Sequence, residues 1–517
     1  MGAAGIRIGA LLALSAALAA LGVSSRSATA SAHRAVATRP GTAAAALASC
    51  PGWSRPALAA DRRRHALRVF AIQFEQRPEQ MAGAAVYRHV IDCAIRAEVL
   101  PHLARGRGRA NLVVFDEDVG LETIAIGPRG AAGRALLRVG APTCRGAASP
   151  CQTLATLAAI NQGYSRALTY LGAAFPKLSG QLSRGFVAAT DEFARVFMTT
   201  MATEARRYGI YVIASNTQAP FRVTRSPAAI TALADPGAPR PRQVYEPTAG
   251  VAYDQTFVWG PRVVHHGEPA PLANLLADNY KVPLTAFETE LGFAAGPSGG
   301  AAAVRNLRPV RIPGTRARLG LATSLPAFTY GTASPGHACD DVTSTYMRCL
   351  SRLGANVLIQ ADANDGQWTG IDGGTGGAER WQPLAWMGSA YRAVSDRSVR
   401  FTYAVNPFMV GNLADTPFDG QSAILQRGLP GRGCAYVGDA SFVPGEDLPA
   451  YRAYAGPKPQ FLALAPWVAT GPRSSLRRIG AALAAGSGAY HYVQTAVIAD
   501  LPFPADRSRP GCVRSSQ

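Results

Sequence analysis

Apolar residues arrive along this chain in short compact runs that alternate with stretches of helical spacing. The first run is Leu67-Arg68-Val69-Phe70-Ala71-Ile72-Gln73-Phe74. Runs of this length, rich in β-branched and aromatic side chains, predict strands. A helical pattern follows over about 81–103, and then the buried-strand run Asn111-Leu112-Val113-Val114-Phe115 ends in Asp116-Glu117-Asp118. Residues 126–190 break the rhythm with Gly, Ala, Ser and two cysteines, and read as an insertion with some helix of its own. The rhythm resumes with a helix over 191–208 and the strand Ile210-Tyr211-Val212-Ile213-Ala214. Further strands are predicted at 250–258, 318–323, 356–360, 408–412 and 492–499, with a helix at 343–353. Residues 428–475, rich in Gly, Pro and aromatics, read as a second insertion. Strands alternating with helices, with antiparallel-looking strands late in the chain, predict a layered α/β fold in one domain over 67–505. Residues 506–517 are a short tail.

The N-terminus changes the expected compartment. Arg7 precedes the apolar stretch Ile8 to Val23, and the small-residue sites Ala28-Thr29-Ala30 and Ala30-Ser31-Ala32 follow. That is the pattern of a cleaved export signal over 1–32, and the stretch is short for a membrane-spanning helix. Residues 33–66, rich in Ala, Arg and Pro, read as a flexible spacer. Leu47-Ala48-Ser49-Cys50 resembles a lipid-attachment site but lies too far behind the apolar stretch. No later segment is long and apolar enough to span a bilayer. The expected location is extracytoplasmic or secreted, where the eight cysteines can pair. Cys144 and Cys151 bracket a short loop and are the easiest pair to bond.

Charge adds less. The chain carries 52 basic and 33 acidic residues, a balance of +19. Nearly all the basic residues are Arg, and Lys occurs only at 177, 281 and 458. Beyond residue 66 no long basic run appears, so the excess reads as a solvated surface and no nucleic-acid partner is expected. Ligand-spaced Cys or His pairs are absent, which leaves no metal or cofactor implied.

Three residues carry candidate chemistry. Glu117 closes a buried strand, where α/β folds commonly place catalytic groups, and Asp116 and Asp118 push its pKa toward that of a base. Lys281, in Asn279-Tyr280-Lys281-Val282-Pro283-Leu284-Thr285-Ala286-Phe287-Glu288, is a rare compact ammonium in an Arg-preferring chain. Cys339, in Ser334-Pro335-Gly336-His337-Ala338-Cys339-Asp340-Asp341, precedes a predicted helix whose dipole favours a thiolate. Taken alone, Glu117 also fits a solvated acidic loop, Lys281 an exposed cation and Cys339 half of a disulfide.

Together these segments resemble the nitrilase, or carbon–nitrogen hydrolase, superfamily. Leu112 to Glu117 is similar to its strand ending in the catalytic Glu, and Tyr280-Lys281 through Glu288 to its lysine motif. Leu353-Gly354-Ala355-Asn356-Val357-Leu358-Ile359 resembles the Gly-Ala and strand that follow its nucleophile. Asn406 to Asn412, Asp419-Gly420-Gln421-Ser422 and Ala489 to Leu501 resemble its late strands. The resemblance implies a four-layer α-β-β-α sandwich in a single domain with large insertions. It also implies a Glu117, Lys281, Cys339 triad supported by Glu288, with residues 324–338 inserted ahead of the cysteine. In compact members the nucleophile directly follows the strand that here ends Leu321-Ala322-Thr323, which places Ser324 there. Cys349 is a fallback and Ser324 a second one. The implied reaction is hydrolysis of a small amide or nitrile through a thioester, with no cofactor and a possible homo-oligomer. An N-acyltransferase and a catalytically silent binding protein on the same scaffold are the alternatives.

Overall fold

The computed structural model describes residues 50, 52–60, 66–106, 108–144, 150–237, 239, 241–334, 336–372, 380–429, 437, 460–468, 476–509 and 513–514. The expected export signal lies outside the described residues. In chain order the strands begin with β1 (Ala57–Ala59), β2 (Leu67–Glu75), β3 (Ala110–Val114), β4 (Tyr211–Gln218), β5 (Phe221–Thr224) and β6 (Val244–Pro247). Next come β7 (Tyr253–Trp259), β8 (Leu275–Tyr280), β9 (Val310–Arg311), β10 (Arg318–Leu321), β11 (Val357–Ile359), β12 (Ile371–Asp372) and β13 (Arg380–Trp381). The chain closes with β14 (Tyr403–Asn406), β15 (Met409–Leu413), β16 (Thr416–Phe418), β17 (Ala423–Gln426), β18 (Phe461–Leu464), β19 (Thr495–Leu501) and β20 (Val513–Arg514).

Two large sheets result. The first runs β1-β19-β2-β3-β4-β7-β8, with β15 beside the end of β2 and β16 beside β15. The second runs β20-β18-β17-β14-β11-β10-β9. Period-two alternation decides how they stack. Val69, Ala71, Leu112, Val114 and Ile213 of the first sheet share one buried cluster with Leu319, Leu321, Val357, Ile359, Val405 and Ile424 of the second. Helices cover the outer face of the second sheet, where Tyr346, Met347 and Leu350 pack with Trp386, Ala390, Ile479 and Leu483 over Leu358, Ala404 and Leu425. On the first sheet, the helix Thr199–Tyr208 packs against β4 and β7. The architecture is therefore α-β-β-α, as the resemblance implied.

Three sequence expectations need correcting. The spacer 33–66 contains β1, parallel to β19 in the register Ala57↔Val497, and Trp53 packs on Phe74. A short run sheltered by an existing sheet edge becomes a strand without strong patterning of its own. The second insertion, 428–475, contains β18, a strand inside the second sheet antiparallel to β17. Strands β8, β14 and β17 also went unpredicted, because each has only four to six residues and leans on neighbours for its burial. Residues 126–190 do form helices, among them Ala131–Val139, Cys151–Gly163 and Ser165–Ala174. These pack a separate small core around Ile160, Tyr164, Leu171, Phe186 and Phe193.

Candidate active site

Lys281 follows directly on β8, and its amide donates to Asp254 O on β7 at 3.0 Å. Its ammonium is buried, 2.6 Å from Glu117 Oε1, 2.6 Å from Glu288 Oε1 and 3.3 Å from Asp254 Oδ2. Glu288 is held by its own helix start. Thr285 caps the helix Ala286–Leu291 in a reciprocal capping box, so Glu288 Oε2 accepts from Thr285 N at 2.7 Å while Oε1 faces the lysine. The S/T-x-x-E signature was legible; Asp254, which sequence reasoning missed, was not. It lies in the polar first half of β7, beside Gln255 and Thr256, where an acid does not stand out.

Burial and charge compete at this cluster. Burial holds Glu117 well above the usual carboxylate range; Lys281 opposes the shift, and Asp254, Glu288 and Asp118 reinforce it. Burial, then Asp254, pushes Asp118 up to about 8. Burial pulls Lys281 down, but Glu117, Glu288 and Asp254 outweigh it and hold the ammonium charged. One ammonium among this many acids leaves a surplus of negative charge, so the cluster retains protons at neutral pH. Glu117, Asp254 and Glu288 stand close enough to ligate a cation. The cation among them is the ammonium of Lys281.

Cys339 is not a free thiol. It is bonded to Cys349, ten residues on, and the pair is buried beside Val282 and Ala303. A disulfide sulfur has no thiolate to attack with, so neither the expected nucleophile nor its fallback Cys349 is available. The helix Val342–Arg352, which carries Cys349, begins with Asp341 as its cap, Oδ1 accepting from Thr343 N at 3.0 Å. Cys50 pairs with Cys93 and Cys144 with Cys151. Among the described residues no cysteine is free.

Ser324 is the residue that directly follows the strand ending Leu321-Ala322-Thr323, and it is buried. It lies just past β10 with φ 58° and ψ −122° and opens the short 3-10 turn Leu325–Phe328. That backbone region is sparsely populated for any residue with a Cβ, and strain of this kind gathers at functional sites. Asp118 beside Glu117 and Ala414 are the other described non-glycine residues with positive φ. One short segment joins the two halves of the site: Ser324 N donates to Ala361 O at 3.0 Å, and Ala363 N donates to Glu117 Oε2 at 2.8 Å. Asp362 between them is fully buried, its Oδ2 accepting from Gln360 Nε2 at 2.9 Å and Asn406 Nδ2 at 2.7 Å. Burial pushes its pKa up to about 8. Thr256 and Thr323 bond through their hydroxyls and pin β7 to the residue before Ser324. The residues expected between 324 and 338 as an insertion thus begin with the strained serine itself.

No family model and no curated sequence matches the chain. Solved structures do resemble it. One is an amidase from a Nesterenkonia species carrying an acrylamide adduct at its active-site cysteine, 13% identical over 70% of this chain and 85% of that one, TM-score 0.33. Another is a carbon–nitrogen hydrolase from Helicobacter pylori, 13% identical over 70% and 81%, TM-score 0.35. A third is a Saccharomyces cerevisiae protein of branch 10 of the nitrilase superfamily, 13% identical over 70% and 82%, TM-score 0.33. The likeness is remote and transfers no residue role to this chain.

Proposed function

We propose that this chain hydrolyses non-peptide acyl C–N bonds, with Ser324 as nucleophile, Glu117 as general base and Lys281 as the electrostatic partner of the developing oxyanion. The observation that carries this reading is the strained serine at the end of β10, tied through Ala361 and Ala363 to the same segment that holds Glu117. A strained turn at a strand end is a recurring device for presenting serine nucleophiles, and here it holds Ser324 buried, 3% exposed. Ser324 Oγ attacks the acyl carbon while Glu117 takes its proton. Lys281, already charged, stabilises the oxygen that gains negative charge, without reorganising. The C–N bond breaks as Glu117 returns the proton to the departing nitrogen. Water activated by Glu117 then cleaves the acyl ester, releasing the carboxylic acid and restoring the Ser324 hydroxyl. Glu288 and Asp254 hold the ammonium in place. Export to an oxidising compartment is part of the same reading, supported by the three disulfides.

The raised pKa of Glu117 suits a base working near neutral pH. Because only the ionised carboxylate accepts the proton, activity falls as pH drops through a value above the usual carboxylate range. A panel of acyl p-nitroanilides tests the proposal. Ser324→Ala is expected to lower turnover by at least about 10³-fold with folding unchanged. Full turnover in Ser324→Ala would overturn the nucleophile. A second reading, a binding protein without turnover, is favoured by the replacement of a thiol by an alcohol at the strand end. Wild type inert toward every anilide, with Ser324→Cys gaining hydrolysis, would establish that reading instead.

A further inference from the structure

The arginine excess is not spread evenly. Between Glu290 and Asp340 the chain has no acidic residue, yet it carries Arg305, Arg308, Arg311, Arg316 and Arg318. In the fold, most of these join a second group at the C-terminal end of the helix Val342–Arg352. One cleft of about 360 Å³ is lined by Arg348, Arg352 and Arg400 together with Ser334, Ser351 and Ser398. A second, of about 430 Å³, is lined by Arg305, Arg308, Arg311 and Arg318. The two clefts share no lining residue, but Arg352 borders the first and the next residue, Leu353, borders the second. Neither is lined by an acidic or aromatic side chain. Among the described residues none of these seven arginines forms an ion pair with a carboxylate. Arg318 Nε is buried without a hydrogen-bond partner.

We infer that the paired clefts bind a polyanion built of repeating phosphates and lacking stacking bases. Seven uncompensated guanidinium groups around two concave sites repel one another, and an anion that bridges them relieves that repulsion. The planar donor fork of arginine matches phosphate geometry, and the serine hydroxyls of the first cleft add neutral donors. Two clefts bordered by consecutive residues suit successive phosphates of one chain better than a single free ion. Single-stranded nucleic acid is held largely by base stacking on aromatic side chains, which these clefts lack. A second copy of this chain would set like charges against like. The clefts lie away from the candidate active site: Arg318 begins β10 and Asn356 immediately precedes β11, whereas Ser324 and Ala361–Ala363 follow the opposite ends of those strands.

Binding of inorganic polyphosphate to the full chain, followed by calorimetry across a salt series, tests this, with a glycerol-phosphate polymer as a second arm to identify the linkage. Polyglutamate of matched charge and single-stranded DNA serve as competitors. Arg305→Ser/Arg308→Ser/Arg311→Ser is expected to weaken polyphosphate binding by on the order of tenfold or more and to flatten the salt dependence. Arg88→Ser/Arg105→Ser/Arg166→Ser removes the same charge from exposed positions elsewhere and is expected to change binding less than about threefold. Anilide hydrolysis is expected to be unchanged in both. Equal losses in the two triple variants, equal affinity for polyglutamate, or tighter binding of DNA would each overturn the inference.

Discussion

The two sheets contribute to the candidate site in different ways. The first sheet supplies charge: Glu117 and Lys281 follow β3 and β8, and Asp254 lies on β7, the groups meeting within 3.3 Å of the buried ammonium. The second supplies backbone: Ser324 is presented by a left-handed turn after β10, and Ala363 N fixes Glu117 from the segment after β11. Buried charges demand partners, so the first half is held by electrostatics that no substitution evades cheaply. The turn at Ser324 is held by the packing of β10 and β11 and by the Thr256–Thr323 contact.

The sharpest way to break this contrast is to change the second half alone. Ser324→Ala is expected to lose at least about 10³-fold in anilide turnover, while Cys339→Ser/Cys349→Ser retains turnover within about threefold. The reverse pattern would return the nucleophile to Cys339. In the first half, Lys281→Met strands several buried acids without their cation. Urea unfolding at pH 8 should show a loss of about 3–5 kcal/mol, smaller at pH 5, where the acids are protonated. Removing the Cys339–Cys349 bond closes no new charge problem and should cost about 2–3 kcal/mol by releasing a short loop in the unfolded chain.

Glu98, on the helical segment Ile95–Val99 against the first sheet, provides a control, because it is a buried acid in no described ion pair. Its Oε2 accepts from Ala496 N at 2.8 Å, and burial, against that hydrogen bond, pushes its pKa up to about 7. The folded state therefore binds this proton more tightly than the unfolded chain. The stability Glu98 contributes is fully present below the unfolded carboxylate value and is lost as pH rises through about 7. Glu98→Gln keeps an acceptor for Ala496 and should stabilise the fold by about 2 kcal/mol at pH 8, with little effect at pH 4. The smallest effect is expected at the capping box. Thr285→Ala should cost about 1 kcal/mol in thermal or urea unfolding and lower turnover by only a few-fold, since Glu288 Oε2 loses the Thr285 hydroxyl but keeps the Thr285 backbone N–H, and Oε1 keeps its lysine.

Legibility followed the same division. Glu117 and Lys281 stood out because their residue types and local patterns carry the reason for their placement, an acid ending an apolar run and one of three lysines among many arginines, while Glu288 entered only through the resemblance. Asp254 and Asp362 were missed because an acid inside a strand or after one gives no sign of what faces it across two sheets. Cys339 misled because its distance to Gly354-Ala355 matched an expected spacing, while its bond to Cys349 depends on where the intervening helix brings the two sulfurs.

The sequence by itself determined the alternation of strand and helix, the layered α/β class it implies and the identity of the charged residues, because periodicity and residue type are local properties. Tertiary structure alone decided the strands β1 and β18 within presumed linker and insertion, the disulfide that removes the thiols and the left-handed turn at Ser324. Each of these depends on contacts between segments far apart in the chain: a sheet edge to pair with, a partner sulfur in reach, or a neighbouring strand holding the backbone where a lone peptide would not stay.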